Sequence, residues 1–387
     1  MDPITTTLAS EPPGQDRHYR TVLDASIAET LRQALRMVAA DPTLACAALQ
    51  ILTWQKQAAS RRRAREKEGL LVPPALFLSV TSQCNLACRG CYMKGIHNGP
   101  AKEMSPDLIR SIVAEACGLG VSIVVLAGGE PLIRRTEISA LARTYPCILF
   151  PVFSNGLLID DTAAREFAKT KNIVPLLSVE GLRDETDARR GAGVYDLLHA
   201  ACARLKENGI FFGCSVTVTS KNIDLATSDR FIAEMRNAGA RVFVFVEYVP
   251  VDPATEDLVL DCGQQESLHG RIAALNKEHP ALFIGFPGDE AAFGGCLAAG
   301  RGFVHISPSG DLEACPAAPF SDTSLTRSSL SYALRSPLLA AIRSNHHLLT
   351  ESRGGCALWK NQNRARALLS RENGVVREED FTTTTRD

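Results

Sequence analysis

Between residues 75 and 250 the chain alternates short apolar runs with segments whose apolar residues recur at helical spacing. The short runs are Ala75 to Val80, Ser122 to Leu126, Cys147 to Phe153, Ile173 to Val179, Phe211 to Val218 and Arg241 to Val249, and each reads as a strand. Helical spacing predicts helices between them, at Pro106 to Gly118, Asp161 to Lys169, Tyr195 to Asn208 and Leu225 to Ala238. Six strands alternating with helices imply an α/β fold, a parallel sheet wrapped by helices. Upstream, from Ser26 to about Lys67, the spacing is again helical, with a break at Asp41-Pro42, and Val72-Pro-Pro74 ends that region. The first twenty residues are polar and proline-rich, and the stretch from Arg371, ending in Thr382-Thr-Thr-Thr385, is rich in charge; both read as flexible.

Composition narrows the class. At 387 residues and 45% hydrophobic, the chain is long enough for more than one domain. A formal net charge of -1 gives no global field toward nucleic acid or an anionic membrane. No apolar stretch reaches the roughly 18 residues of a spanning helix, and Met1-Asp-Pro-Ile-Thr lacks the basic start of a secretion signal. A cytoplasmic protein is expected, with its 12 cysteines held as thiols or metal ligands. Cys46, Cys117, Cys147, Cys202 and Cys214 lie singly in apolar patterns and read as small buried hydrophobes. The run Arg61-Arg-Arg-Ala-Arg65 reads as a solvated helix face.

Chemistry concentrates at Cys84-Asn-Leu-Ala-Cys88-Arg-Gly-Cys91, followed by Tyr92, directly after the first strand. Three thiolates at C-x3-C-x2-C spacing can hold a metal centre there. A structural zinc site needs a fourth ligand, for which His97 is the nearest candidate. A four-iron cluster held by three cysteines instead leaves one iron open to a further ligand. Two more segments follow in order: Ala127-Gly-Gly-Glu-Pro131 after the second strand, and Val152-Phe-Ser-Asn-Gly156 at the third. Together these resemble the radical S-adenosylmethionine (SAM) enzymes. The resemblance implies a partial (β/α)6 TIM-like barrel with its active site at the strand C-termini. It also implies a 4Fe-4S cluster on Cys84, Cys88 and Cys91 whose open iron chelates SAM. An electron from a reductant such as flavodoxin or ferredoxin then cleaves SAM to a 5′-deoxyadenosyl radical, which takes a hydrogen atom from substrate.

By the same resemblance, Tyr92, Gly128, Gly129, Glu130, Ser154 and Asn155 belong to the SAM site, the glycines allowing backbone to approach the ligand closely. The fourth strand leads through Ser178-Val-Glu-Gly-Leu182 to Arg189-Arg-Gly191. Alternation puts Ser178 and Glu180 on one face, and a buried Glu180 needs a partner. Arg190, or in its place Arg189, is the expected clamp on the SAM carboxylate, since a guanidinium makes two parallel hydrogen bonds. Thr217 and Thr219 can point into the barrel. Glu247 and Tyr248 end the sixth strand where SAM and substrate meet, and are candidate proton acceptors; adjacent residues face opposite ways, so one of the two faces the cavity.

The C-terminal third carries Cys296, then Phe303-Val-His-Ile306, a Ser-Gly-Asp turn, Cys315 and Cys356. Strand, turn and strand read as a hairpin. The arrangement resembles the twitch or SPASM extension, which implies an auxiliary iron-sulfur cluster on Cys296, Cys315 and Cys356; structural zinc is the competing reading. Trp359 stands where a paired cysteine is common, and reads as core packing. Either Cys262 or a non-cysteine residue supplies a fourth ligand, or that cluster too keeps an open iron. The hairpin, near residues 285 to 360, is expected across the barrel mouth. The expected units are an N-terminal helical segment (1-72), the core barrel (73-260), the auxiliary domain (261-370) and a tail (371-387). Two substrate classes remain: a ribosomally made peptide, or a small molecule of cofactor, lipid or natural-product biosynthesis. The region before Pro73 fits neither a cobalamin domain nor a winged-helix leader module, and a metal-binding scaffold without catalysis is the remote alternative.

Overall fold

A computed structural model of the chain describes residues 32–33, 35–39, 41–96, 102–286, 295–346, 349 and 356–363. His97, the first twenty residues and the tail from 371 lie outside them. After a 3-10 turn at Pro42–Leu44 comes helix α1 (Ala45–Lys67), so the Asp41-Pro42 break falls where the sequence puts it. Then follow β1 (Ala75–Thr81), α2 (Tyr92–Ile96), α3 (Pro106–Leu119), β2 (Ile123–Gly128), α4 (Arg135–Thr144), β3 (Phe150–Ser154), α5 (Asp161–Ala168) and β4 (Ile173–Val179). The alternation continues through α6 (Arg183–Arg190), α7 (Val194–Glu207), β5 (Gly213–Val218), α8 (Ile223–Ala226), α9 (Asp229–Ala238), β6 (Val242–Glu247), α10 (Cys262–Glu278) and β7 (Leu282–Phe286). Strands β8 (Phe303–Ile306) and β9 (Leu312–Glu313) precede α11 (Leu330–Ala333), α12 (Pro337–Ser344) and α13 (Ala357–Lys360).

All six expected strands form. The helix expected over Leu225 to Ala238 is two, because the Ser228 side chain accepts the Phe231 N–H and starts a new helix there. Cys46 is exposed on α1, not a buried hydrophobe, and the Cys117 and Cys147 sulfurs meet at 3.4 Å, with burial pushing the Cys117 thiol up to about 11. Cys202 and Cys214 are buried as expected, and burial pushes Cys202 up to about 12.

The strands make one sheet in the order β7-β6-β5-β4-β3-β2-β1-β8-β9, parallel throughout except for the antiparallel β8–β9 pair. The C-terminal hairpin is therefore not laid across the barrel mouth. It hydrogen-bonds to the edge of β1 that β2 leaves free, pairing Ala75 with Phe303 and Leu78 with Ile306. Likewise α10 and β7 add another turn of the alternation beyond the sixth strand, so the sheet is continuous across position 260.

Register sorts side chains between two faces. Leu76, Leu78, Val124, Leu126, Val152, Leu177, Val179, Phe243 and Phe245 point toward the helices and are at most 1% exposed. The opposite face lines the concave interior, where Val174, Leu176, Val242 and Val244 pack with Phe153, Val246 and Leu282. Phe286 on β7 lies 5.6 Å from Phe77 on β1 and 5.5 Å from Phe303 on β8, so aromatic contact bridges the ends of the curved sheet. Near the strand C-termini the interior positions Ala127, Ser178, Thr217 and Val246 are only half-buried. Open space thus lies at that end, where a parallel barrel places its site. Among the described residues no helix is long and apolar enough to cross a membrane.

Candidate functional site

The cysteine loop leaves β1 at its open end and is held there by backbone. Gly129 N–H donates to Thr81 O at 2.7 Å and Glu130 N–H to Gln83 O at 2.7 Å, extending the β1–β2 seam into the loop. A Cβ on Gly128 would lie 2.2 Å from Thr81 O, and one on Gly129 2.1 Å from Gln83 O. The two glycines therefore admit the cysteine-bearing segment, not directly a ligand as the motif alone suggests. Glu103 grips the same junction, accepting from the Thr81 hydroxyl and from the Ser82 N–H and hydroxyl at 2.8 to 2.9 Å. Cys84 is exposed, with Cys88 and Cys91 half-buried. Burial raises the Cys84 thiol, opposed by the Leu86 N–H, which donates to its sulfur at 3.4 Å.

Glu130 is buried behind this loop. Its carboxylate accepts from Ser154 Oγ (2.7 Å), Asn155 N (2.8 Å) and Leu132 N (3.0 Å), tying the end of β3 to the Gly-Gly-Glu turn. Burial raises its carboxyl despite those donors. Asn155 reaches the loop itself, donating to Asn85 Oδ1 at 2.7 Å with Cys84 Sγ 4.0 Å away. Glu130 and Ser154 thus brace the loop, while buried Asn155 lies behind exposed Cys84.

On the facing wall, Ser178, Glu180 and Thr217 share the interior side of β4 and β5, Ser178 opposite Ser215. One oxygen of Glu180 accepts from Arg189 Nη1 (2.5 Å), Arg190 Nε (2.8 Å) and Arg190 Nη2 (2.5 Å). Its other oxygen is buried without a protein partner. Arg189 also donates to Thr217 Oγ1 at 3.0 Å, and Arg190 Nη1 lies 3.9 Å from Cys88 Sγ. Although burial alone would lower it, the Glu180 carboxylate holds Arg189 charged, above its ordinary value. The Arg89 N–H donates to Arg189 O at 3.0 Å, so the cysteine loop is also pinned to α6. Two cations against one carboxylate leave this wall one positive charge in excess beside the cysteines. Asn222, which the motifs do not signal, donates to Glu180 O and Thr217 O and sets the strand ends. The same residue accepts from the Thr219 N–H and hydroxyl, so Thr219 is spent on that bracing.

Glu247 and Tyr248 part as alternation requires. Tyr248 follows Val242, Val244 and Val246 on the interior face, and its ring covers Gly90, where a Cβ would lie 2.4 Å from its hydroxyl oxygen. That hydroxyl sits 2.6 Å from Thr255 Oγ1. Glu247 turns outward to α10, accepting from Gln265 Nε2 at 2.8 Å, with His269 Nε2 3.4 Å away. The geometry removes Glu247 from the cavity.

The C-terminal cysteines converge. Cys315 lies two residues beyond β9, Cys296 precedes the hairpin, and Cys356 is the N-cap residue of α13. The hydrogen bond shared by Cys315 and Cys356 pulls the Cys356 thiol down and keeps the proton on Cys315, whose thiol is raised further by burial and by Cys296. Ala298 N–H donates to Cys296 Sγ at 3.5 Å and Trp359 N–H to Cys356 Sγ at 3.4 Å. Trp359 thus brings a backbone donor to this group, its ring half-buried. Cys262 is the exposed first residue of α10. Tyr92 stands between the two cysteine groups, its phenol raised by burial and by Cys91, with Cys315 and Glu313 adding to the same effect.

A parallel partial barrel with three thiols at the end of its first strand defines a class. Residues 78–232 match the radical SAM superfamily model. The matched stretch thus carries a radical SAM superfamily domain. It is 28% identical over 261 residues to mycofactocin maturase MftC of Mycolicibacterium smegmatis, covering 65% of this chain and 66% of that protein. It is also 28% identical over 239 residues to a probable GTP 3',8-cyclase of Methanosarcina mazei, covering 56% and 69%. The chain thus spans about two thirds of the length of these relatives. Among solved structures, Streptococcus suis SuiB bound to its precursor peptide SuiA superimposes with a TM-score of 0.61 at 19% identity, over 85% of this chain and 80% of that one. Native anSMEcpe with bound SAM gives 0.54 at 14%, over 68% and 80%. At those identities the likeness is one of fold.

The residues fit the family's cofactors. Cys84, Cys88 and Cys91 offer three sulfurs for a 4Fe-4S cluster, and Arg189 and Arg190 give the adjoining wall an uncompensated positive charge suited to a carboxylate.

Two substitutions test this construction. Gly129→Ala drives a methyl into the Gln83 carbonyl and is expected to remove iron from the first cysteine group while helical circular dichroism persists. Glu180→Gln leaves two buried guanidinium groups without a counter-charge, and is expected to cost about 3–5 kcal/mol in urea unfolding.

Proposed function

We propose that this chain is an enzyme that binds SAM at a 4Fe-4S cluster on Cys84, Cys88 and Cys91, cleaves it reductively and oxidises a peptide substrate. The observation that carries this reading is the joining of that cysteine loop to the Glu180–Arg189–Arg190 wall, through the Arg89–Arg189 backbone bond and the approach of Arg190 to Cys88. When bound, the cluster supplies the electron that breaks the carbon–sulfur bond of SAM. Arg190, with Arg189 beside it, holds the methionine carboxylate. Ser178 and Thr217 offer hydroxyls to the remainder of the ligand, and Tyr248 keeps the loop seated through Gly90. The Gly128–Gly129 turn orients the loop, and Asn155 supports its first cysteine.

Cys296, Cys315 and Cys356 would hold a second iron-sulfur cluster, which would offer an acceptor for the electron released on product formation. N–H donors to the sulfurs suit such a centre, because hydrogen bonds to sulfur tune its potential. A peptide substrate is favoured by the likeness to a maturase and to a structure holding a precursor peptide. The GTP 3',8-cyclase relative keeps a small-molecule substrate as the second reading. Flavodoxin or ferredoxin fits the role of reductant.

Anaerobic reconstitution with iron and sulfide, followed by dithionite and SAM, is expected to yield 5′-deoxyadenosine, and Cys88→Ala to abolish it. Lack of 5′-deoxyadenosine from iron-replete protein would refute the proposal. A short peptide encoded beside the gene is expected to change mass in the same assay; conversion of GTP instead would favour the second reading.

A further inference from the structure

A buried polar chain joins the two cysteine groups, and the functional reading above makes no use of it. Ser79 lies on the interior face of β1, and its Oγ is 2.8 Å from Nε2 of His305 on β8. Nδ1 of His305 is 2.7 Å from Oε2 of Glu313 on β9. Ser79, His305 and Glu313 are 0%, 1% and 4% exposed. The Tyr92 phenol reaches the Ser79 hydroxyl from the other side. The chain thus runs from the residue after Cys91 to the second residue before Cys315. Buried imidazole and carboxylate groups are costly unless paired, and apolar residues would fill these strand positions at lower cost.

With His305 neutral, Nδ1–H donates to Glu313 and Nε2 accepts the Ser79 proton. Adding a proton at Nε2 reverses that bond and creates an imidazolium against the Glu313 carboxylate, near Cys315. A cluster on Cys296, Cys315 and Cys356 becomes one unit more negative when it takes an electron. Opposite charges in a buried region favour each other. We propose that His305 gains one proton as the auxiliary cluster gains one electron. Among the described residues, the titratable groups facing this chain are Glu313 from β9, Tyr92 from α2, and Cys91 and Cys315 at its ends. In turnover the substrate radical is the reductant: it gives its electron to the cluster, and the proton it loses is matched by the one that His305 takes up. Charge and protons balance, and both are released when the cluster is reoxidised. The inference rests on the auxiliary-cluster reading above.

The test needs no substrate. The full chain carrying Cys84→Ala, Cys88→Ala and Cys91→Ala is reconstituted so that only the auxiliary cluster remains. Its midpoint potential is measured by dithionite titration under electron paramagnetic resonance at several pH values. Protonation favours the reduced state, so the potential should fall as pH rises, approaching a tenfold change per pH unit, or about 59 mV. In His305→Gln, which keeps hydrogen-bonding groups but takes up no proton, the potential should be level with pH while iron content and spectrum are retained. Glu313→Gln, which removes the imidazolium partner, should weaken the slope by an independent route. A level potential in iron-replete parent protein, or a slope that survives in both variants, overturns the coupling alone. Absence of iron from the parent protein overturns the auxiliary-site reading and the coupling with it.

Discussion

The structure depends on β1 having both of its hydrogen-bonding edges filled. One edge carries β2 and the other β8, each in parallel register. The first cysteine loop is the continuation of β1, and Cys315 follows the hairpin docked on it, with Cys296 before that hairpin. A strand fixed on both sides cannot tilt without breaking two ladders, so the two groups are held at one spacing by main-chain hydrogen bonds, not by a linker. The same strand supplies Ser79, whose partner His305 reaches it across that second ladder. Whatever chemistry one cysteine group starts, the other is mechanically part of its surroundings.

Charge sets the second constraint. The wall opposite the loop concentrates two guanidinium groups on a single oxygen of Glu180 and leaves the other oxygen buried without a protein partner. Such an arrangement is held together by mutual attraction but is incomplete by one negative charge. Burial makes the shortfall matter, because water cannot screen it as it does at the surface. An anionic ligand beside the cysteines therefore completes a site instead of competing for one. Glu130, equally buried, is in the opposite position, since three protein donors already satisfy it and its function is to brace.

Much of this was legible in the sequence because periodicity and spacing are local. Six strands and the first cysteine group follow from short runs of residues, and Ile173 to Val179 matches its strand at both ends, whereas the second cysteine group rests on the family resemblance. What the sequence does not show is long-range. The pairing of β8 with β1 joins residues more than two hundred positions apart, and neither strand carries a local sign of its neighbour. Gly90 reads as an ordinary loop glycine until Tyr248 is seen against it. Ser79 and His305 are polar positions within otherwise apolar strands, and only the register turns them toward each other. Glu247 failed as a candidate for the converse reason: alternation permits one of two neighbours to face inward, and only the strand's absolute register says which.

These placements decide where a proton can go. Glu180 is committed to its arginines, Glu130 to backbone donors, and Glu247 points to α10, so these three interior or near-interior carboxylates are spent or misdirected. Tyr248 has its hydroxyl on Thr255. Ser178, Thr217 and Val246, half-open to the cavity, provide hydroxyls and methyls, not bases. Among the described residues of the cysteine loop, half-buried Tyr92 lies toward Ser79. An oxidation that removes both an electron and a proton from substrate is best served when the two acceptors are adjacent, since separating them leaves unpaired charge in a poorly screened interior. The β8 wall meets that condition, with His305 on the hairpin and Cys315 two residues beyond β9.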